Sequence, residues 1–161
     1  MHLPLVRTYV RGQDRWGSGA FRASRGKDSG GKPKLHKGID IVALPGFESL
    51  ACCVGDVTKI WYPYAQEEPK EGFKDEEERR RFYLKKAMRY VQVTTPGGNR
   101  VRHFYVDPAV KLGSRVVPGR VLGKVQDIEK IYPDITPHYH FEVFDRHNQI
   151  VNPHRFIEDQ V

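Results

Sequence analysis

The stretch Pro137-His138-Tyr139-His140-Phe141-Glu142-Val143 constrains the fold more than any other part of the chain. Aromatic and β-branched residues dominate it and a proline precedes it, the composition of a β-strand. Side chains alternate along a strand, so His138 and His140 project to one face. Two imidazoles held side by side on a rigid element suit a metal ion. A row of histidines satisfied at a polar surface would read the same way, so the choice depends on what the other strands bring.

Residues 1–34 are rich in Gly, Arg and Lys, with no sustained period, and read as an irregular arm or loop joined to the domain. Residues 35–161 read as one mainly β domain. His36-Lys37-Gly38-Ile39-Asp40-Ile41-Val42 is a strand with His36, Gly38 and Asp40 on one face. Leu50 to Val54 and Val57 to Trp61 are two short strands, with Gly55-Asp56 as a hairpin turn between them. A charged insertion is expected at about 64–90. Within it, Leu84, Ala87, Met88 and Val91 have the spacing of one helix face, which predicts a helix over about Lys74 to Arg89. Strands resume at Tyr90 to Thr95 and Val101 to Val106, around a Pro96-Gly97-Gly98-Asn99 turn. Arg115–Val117 and Val121–Val125 flank a type II turn at Pro118-Gly119. Gln149 to Asn152 is a last short strand. The expected fold is an antiparallel β-sheet domain with a groove carrying a metal site and one inserted charged helix.

At 161 residues the chain can bury a hydrophobic core as one domain, and it is expected to be a monomer. Lys+Arg 27 against Asp+Glu 20 leave +7, which favours anionic partners. There is no RNA-recognition signature, four-ligand zinc-finger spacing or Walker loop, so no nucleic-acid partner is expected. No apolar run reaches the length of a transmembrane helix, so no membrane insertion is expected. Met1-His2-Leu3-Pro4-Leu5-Val6-Arg7 lacks the apolar core of a secretory signal. The adjacent Cys52 and Cys53 read as two small strand residues, since a vicinal disulfide is strained.

Three groups then carry the chemistry: His36 with Asp40, His103, and His138 with His140. All lie on predicted strands, and both members of each pair share a face. If the strands are neighbours in one sheet, the five side chains converge on one groove. Two imidazoles and a carboxylate suit a hydrolytic zinc, which makes a bound water acidic (pKa about 7) and polarises a carbonyl. The glutamate base of H-E-x-x-H is absent, and the two histidines left after ligation can pass protons near neutral pH. A non-haem iron triad of two histidines and a carboxylate would draw on the same residues, leaving two histidines without a role.

The order His36-x-x-x-Asp40, His103, His138-x-His140 resembles the lysostaphin-type (LytM-like) zinc metallopeptidases, peptidoglycan endopeptidases. The resemblance runs from about Gly17 to Pro153. It takes in His36 to Ile41, Gly55-Asp56-Val57, the Val116 to Val125 stretch with Gly119 and Gly123, and Asn152-Pro153. It implies that His36, Asp40 and His140 hold Zn2+ and that His103 and His138 are catalytic. On this resemblance His138 is the general base and acid, and His103 orients the water and stabilises the oxyanion. It further implies hydrolysis of peptidoglycan peptides. The start without a secretory signal fits a chain made in a cytoplasm that acts on the wall or periplasm, with delivery by a holin or as a phage virion component as the expectation. Phe104 replaces the leucine that the family carries after its lone histidine. The charged insertion is absent from the minimal fold, and the upstream tyrosine that some family members carry near the site is not placed in the arm by the sequence. Lys130 to Ile135 resembles both phage-type members and a vertebrate chemotactic cytokine branch of the same fold. That branch lacks a histidine at the position of His103, so a catalytically inactive binding module is the alternative that His103 speaks against.

Overall fold

The computed structural model describes residues 8–69 and 71–158; the reading of Met1–Arg7 as lacking a signal lies outside them. Within the arm, β1 (Gln13–Asp14) pairs β2 (Gly17–Ser18), and β3 (Ser24–Lys27) pairs β4 (Pro33–Leu35). The arm is therefore two small hairpins rather than irregular chain. Short-range hydrogen bonds supply what hydrophobic periodicity does not: Asp14 Oδ1 accepts from Trp16 N at 2.8 Å, and Asp28 Oδ1 accepts from Gly30 N and Lys32 N at 2.9 Å.

The domain proper contains β5 (Ile39–Val42), β6 (Glu48–Leu50), β7 (Gly55–Trp61), helix α1 (Glu76–Lys86), β8 (Tyr90–Thr94) and β9 (Arg100–Phe104). Then come β10 (Val106–Pro108), β11 (Arg115–Val116), β12 (Val121–Val125), a 3-10 turn at Ile128–Lys130, β13 (His138–Phe144), β14 (Ile150–Val151) and the short α2 (Arg155–Glu158). The larger sheet runs β11-β7-β8-β9-β13, with β5 and β14 end to end along the far edge of β13. A smaller sheet, β10-β12-β6, covers one of its faces. Every pairing between these strands is antiparallel. The core between the sheets contains Val57, Val91, Val93, Val106, Val116 and Leu122, all fully buried. A second cluster of Ile39, Ile41, Val101, Phe141 and Val143 continues under β5 and β13. The expected mainly β fold with one inserted helix is the fold observed.

Three local expectations are corrected. The strands around Gly55-Asp56 do not form a hairpin: β6 pairs β12 in the small sheet, while Gly55 opens β7 in the large one. The glycine is needed for close approach, since a Cβ there would meet the backbone of Thr94 and lie 2.7 Å from Val93 Cγ1. The apolar spacing Leu84, Ala87, Met88, Val91 is not a helix face. Helix α1 ends at Lys86 and buries no residue, whereas Met88 and Val91 are core residues beyond it. Cys52 and Cys53 are free thiols in the connection between β6 and β7 rather than on a strand. The Pro118-Gly119 turn is as expected: Gly119 has φ +86° and Arg120 N donates to Val117 O at 3.0 Å. Its flanking strands, however, join different sheets.

Candidate metal centre

The register of β5 on β13 sets His140 directly opposite Asp40, and that of β9 sets Phe104 opposite His140. Directly paired residues share a face, so this row lies on the side of the large sheet away from the small one. His36, just before β5, enters the same space because Gly38 lets the chain lie against β13; a Cβ on Gly38 would come within 2.8 Å of His140 Cε1. Three ligand atoms then meet. His140 Nδ1 lies 3.0 Å from Asp40 Oδ1 and 3.0 Å from His36 Nε2, and His36 Nε2 lies 3.3 Å from Asp40 Oδ1. For a tetrahedral ion with bonds of about 2.0–2.1 Å, ligand atoms stand about 3.3 Å apart. The triangle therefore has the dimensions of one face of such a site, and His36, Asp40 and His140 are a group able to hold a metal ion.

Each ligand is fixed from behind. His36 Nδ1 donates to Ala20 O at 2.9 Å, which leaves the Nε2 lone pair facing the site. His140 Nε2 lies 3.4 Å from Glu142 Oε2, and Glu142 is held by Arg102, whose Nη1 donates to Oε1 at 3.3 Å. Arg11 is 3% exposed and donates through Nη2 (2.9 Å) and Nε (3.2 Å) to Asp40 Oδ2. Both bonds go to the same oxygen, so Oδ1 stays turned toward the histidines. Sequence reasoning missed Arg11 because it lies in the arm, far from any strand pattern; among the described residues it is the only arginine in the buried class.

The donor set selects positive charge. Burial alone would raise the Asp40 carboxyl, but the imidazoles of His140 and His36 beside it outweigh that and hold the group far below the carboxylate range. Burial alone would lower His140, yet Asp40 and Glu142 push it up to about 9. A proton on His140 thus stands where a cation would otherwise balance Asp40.

His138 lies beside the triangle, with Nε2 3.7 Å from Asp40 Oδ1. Its Nδ1 donates to Thr136 O at 2.6 Å, so Nε2 keeps its lone pair toward the groove. Burial lowers its pKa, which favours the neutral, proton-accepting form. The groove around it is a cavity of about 390 Å³. The arm supplies Trp16 and Arg25, the insertion supplies Tyr64, and the segment after β12 supplies Tyr132. That segment is tied to the arm: Trp16 Nε1 donates to Pro133 O at 2.8 Å and Thr136 N to Asp14 Oδ2 at 3.1 Å. The Lys130 to Ile135 stretch is thus part of one groove wall.

His103 is not brought to this site. Its partners across the sheet are Phe141 on one side and Val91 on the other, and Phe141 pairs Ile39. All four belong to the row facing the core, where His103 is 1% exposed. Its Nδ1 is hydrogen-bonded to Ser49 Oγ at 3.0 Å, on the small sheet, and its Nε2 is buried without a partner among the described residues. Burial lowers its pKa to about 3, so it is a neutral core histidine. The correction is one of register. Alternation along β9 shows which residues share a face, but only pairing with β13 shows which face that is. The residues of this stretch that reach the groove are Phe104 and Tyr105.

No family model matches the chain. Among curated proteins it is similar to leukocyte cell-derived chemotaxin-2 of Bos taurus, 26% identical over 136 residues, covering 84% of this chain and 74% of the relative. Among solved structures it is similar to the catalytic domain of the antimicrobial peptidase lysostaphin from Staphylococcus simulans. That match has a TM-score of 0.53 and 18% identity, and covers 84% of this chain and 89% of the other. It is also similar to a zinc-containing peptidase from Vibrio cholerae, with a TM-score of 0.54 and 20% identity, over 90% of this chain and 39% of that one. The chain therefore has the fold of the lysostaphin-type peptidases.

Proposed function

We propose that this protein is a zinc-dependent endopeptidase acting on peptide bonds of bacterial peptidoglycan, with His36, Asp40 and His140 as ligands and His138 as general base and acid. The observation that carries the reading is the tetrahedral face of three ligand atoms, with the free Nε2 of His138 beside it. Zinc held there would supply a Lewis acid for the scissile carbonyl and a nucleophile at neutral pH. The chain's own residues do the rest. The groove between arm, insertion and the Lys130 to Ile135 stretch holds an extended peptide against His138. His138 Nε2 accepts the proton of the attacking water and returns it to the leaving amine, with Thr136 O holding its tautomer. The excess of basic residues supports attraction to an anionic wall.

The test is release of new amino groups from purified peptidoglycan by protein of measured zinc content. Zinc-dependent release, lost in His138→Ala with the zinc content unchanged, is the expected result. A second reading, a metal-holding module that binds without cutting, is favoured by one observation: His103 stands in the core rather than the groove. Bound zinc with no release, alongside saturable binding to the same wall material, would establish that reading instead.

A further inference from the structure

Strand β9 ends at Phe104, and the next residue leaves the alternation. Tyr105 has φ +64°, a left-handed conformation that costs an L-residue about 1–2 kcal/mol. The surroundings impose it. Arg89 O accepts from Tyr105 N at 2.7 Å and from Val106 N at 3.2 Å, while Tyr105 O accepts from Gln126 N at 2.8 Å. Strain of this kind persists only where the structure over-determines it, and it gathers at functional sites. Its consequence here is that two successive side chains, Phe104 and Tyr105, both line the groove, as a bulge does when it re-aims a residue. The Tyr105 ring stands edge-on to His138, with centroids 6.0 Å apart. Its hydroxyl is 2.8 Å from that of Tyr64. Tyr64 belongs to the insertion and is itself held in place: Lys85 Nζ lies 4.4 Å from its ring centroid and pairs with Glu67 at 2.8 Å.

We propose that the Tyr105 hydroxyl is the hydrogen-bond donor to the oxyanion that develops on the scissile carbonyl, with the Tyr64 hydroxyl donating to the Tyr105 oxygen. This rests on the endopeptidase reading. As the water oxygen bonds to the carbonyl carbon, the C=O π pair moves onto oxygen and His138 takes the water proton. The oxyanion accepts the Tyr105 O–H as a hydrogen bond, and no proton leaves the phenol. Collapse re-forms C=O, the C–N bond breaks with its pair on nitrogen, and His138 returns the proton to the amine. Burial keeps the Tyr105 phenol protonated, as a donor must be. A donor whose own oxygen accepts from a neighbour is polarised toward its acceptor, which gives Tyr64 a positioning role.

The test compares wild type, Tyr105→Phe and Tyr64→Phe on a peptidoglycan stem peptide. Two readouts are taken: steady-state kinetics, and calorimetric binding of a phosphinic analogue of the tetrahedral state against the uncleaved peptide. Tyr105→Phe is expected to lower kcat by ~10²–10³-fold, the cost of one oxyanion donor, with KM and zinc content unchanged. Phosphinic affinity falls with it, and affinity for the uncleaved peptide does not. Tyr64→Phe, which leaves β9 untouched, shows the same split with a smaller loss. Wild-type kcat in Tyr105→Phe overturns the inference and leaves the peptidase reading standing. A wild-type protein that holds zinc yet neither cuts nor binds the phosphinic peptide overturns both.

Discussion

Single residues decide how the candidate site is held, and two of them lead to measurements. Arg11 places two donors on Asp40 Oδ2 and also pairs with Asp14 at 2.6 Å, all while buried. Arg11→Lys keeps the charge but cannot reproduce two bonds to one oxygen from a planar group. Residues that orient metal ligands change metal affinity by about 10–100-fold when replaced. The expectation is that Arg11→Lys weakens zinc binding by that order, measured by competition with a chelating dye, while the fold is retained. His103 leads to a stability prediction. Its folded pKa, about 3, lies below the unfolded value of about 6.5. Between those values the unfolded chain binds a proton that the folded chain does not, so stability falls as pH drops through this window. The slope from this one group approaches about 1.4 kcal/mol per pH unit. His103→Gln, which cannot titrate, is expected to lose less stability than wild type between pH 7 and pH 5, read from denaturant midpoints at each pH. Equal losses would mean that His103 is protonated in the folded protein.

At the scale of elements, the inserted helix is separable from the rest. Asp75 caps α1 by accepting from Glu78 N at 2.8 Å, Glu76 to Glu78 occupy the first turn, and Lys85 and Lys86 the last. Local capping and charge therefore favour the helix without core burial. Asp75→Ala is expected to cost the helix about 1 kcal/mol and speed amide exchange across Glu76–Lys86. The global unfolding midpoint and exchange in β8, β9 and β13 should not move; a lowered midpoint would mean that α1 unfolds with the sheets. What the sequence made legible follows the same division. Elements held by their own composition were readable: β13 by its aromatic and β-branched run, β8 by Tyr90 to Thr94, the turn at Gly119 by its need for positive φ. Pairings were not. Period-two alternation is blind to which strand comes alongside, so β6 went to β7 instead of β12 and His103 to the groove instead of the core. Helical spacing was equally blind at Met88 and Val91, which are buried by the turn and strand that follow the helix. The left-handed turn at Tyr105 left no local trace, because contacts with Arg89 and Gln126 impose it.

Across the whole molecule, the candidate centre joins parts that are far apart in the chain. His36 and Asp40 come from the segment entering β5, and His140 from β13 a hundred residues beyond Asp40. Arg11 and the carbonyl of Ala20 bring in the arm. An ion shared by these groups binds only the folded state, because the unfolded chain does not hold the three ligand atoms together. Mass action then makes metal occupancy a measure of the geometry. Free zinc at a hundredfold excess over Kd would add about 2.7 kcal/mol to stability. For a chain of this length each kcal/mol moves Tm by about 2–4 °C. The expected outcome is a Tm higher by roughly 5–10 °C in zinc than in chelator, with the rise lost in Asp40→Ala and kept in His103→Gln. This contrast separates Asp40 from His103 by thermodynamics alone, without any substrate. A rise abolished by His103→Gln would return that histidine to the metal centre and overturn the register described for β9. A rise that survives Asp40→Ala would place the ion elsewhere in the chain.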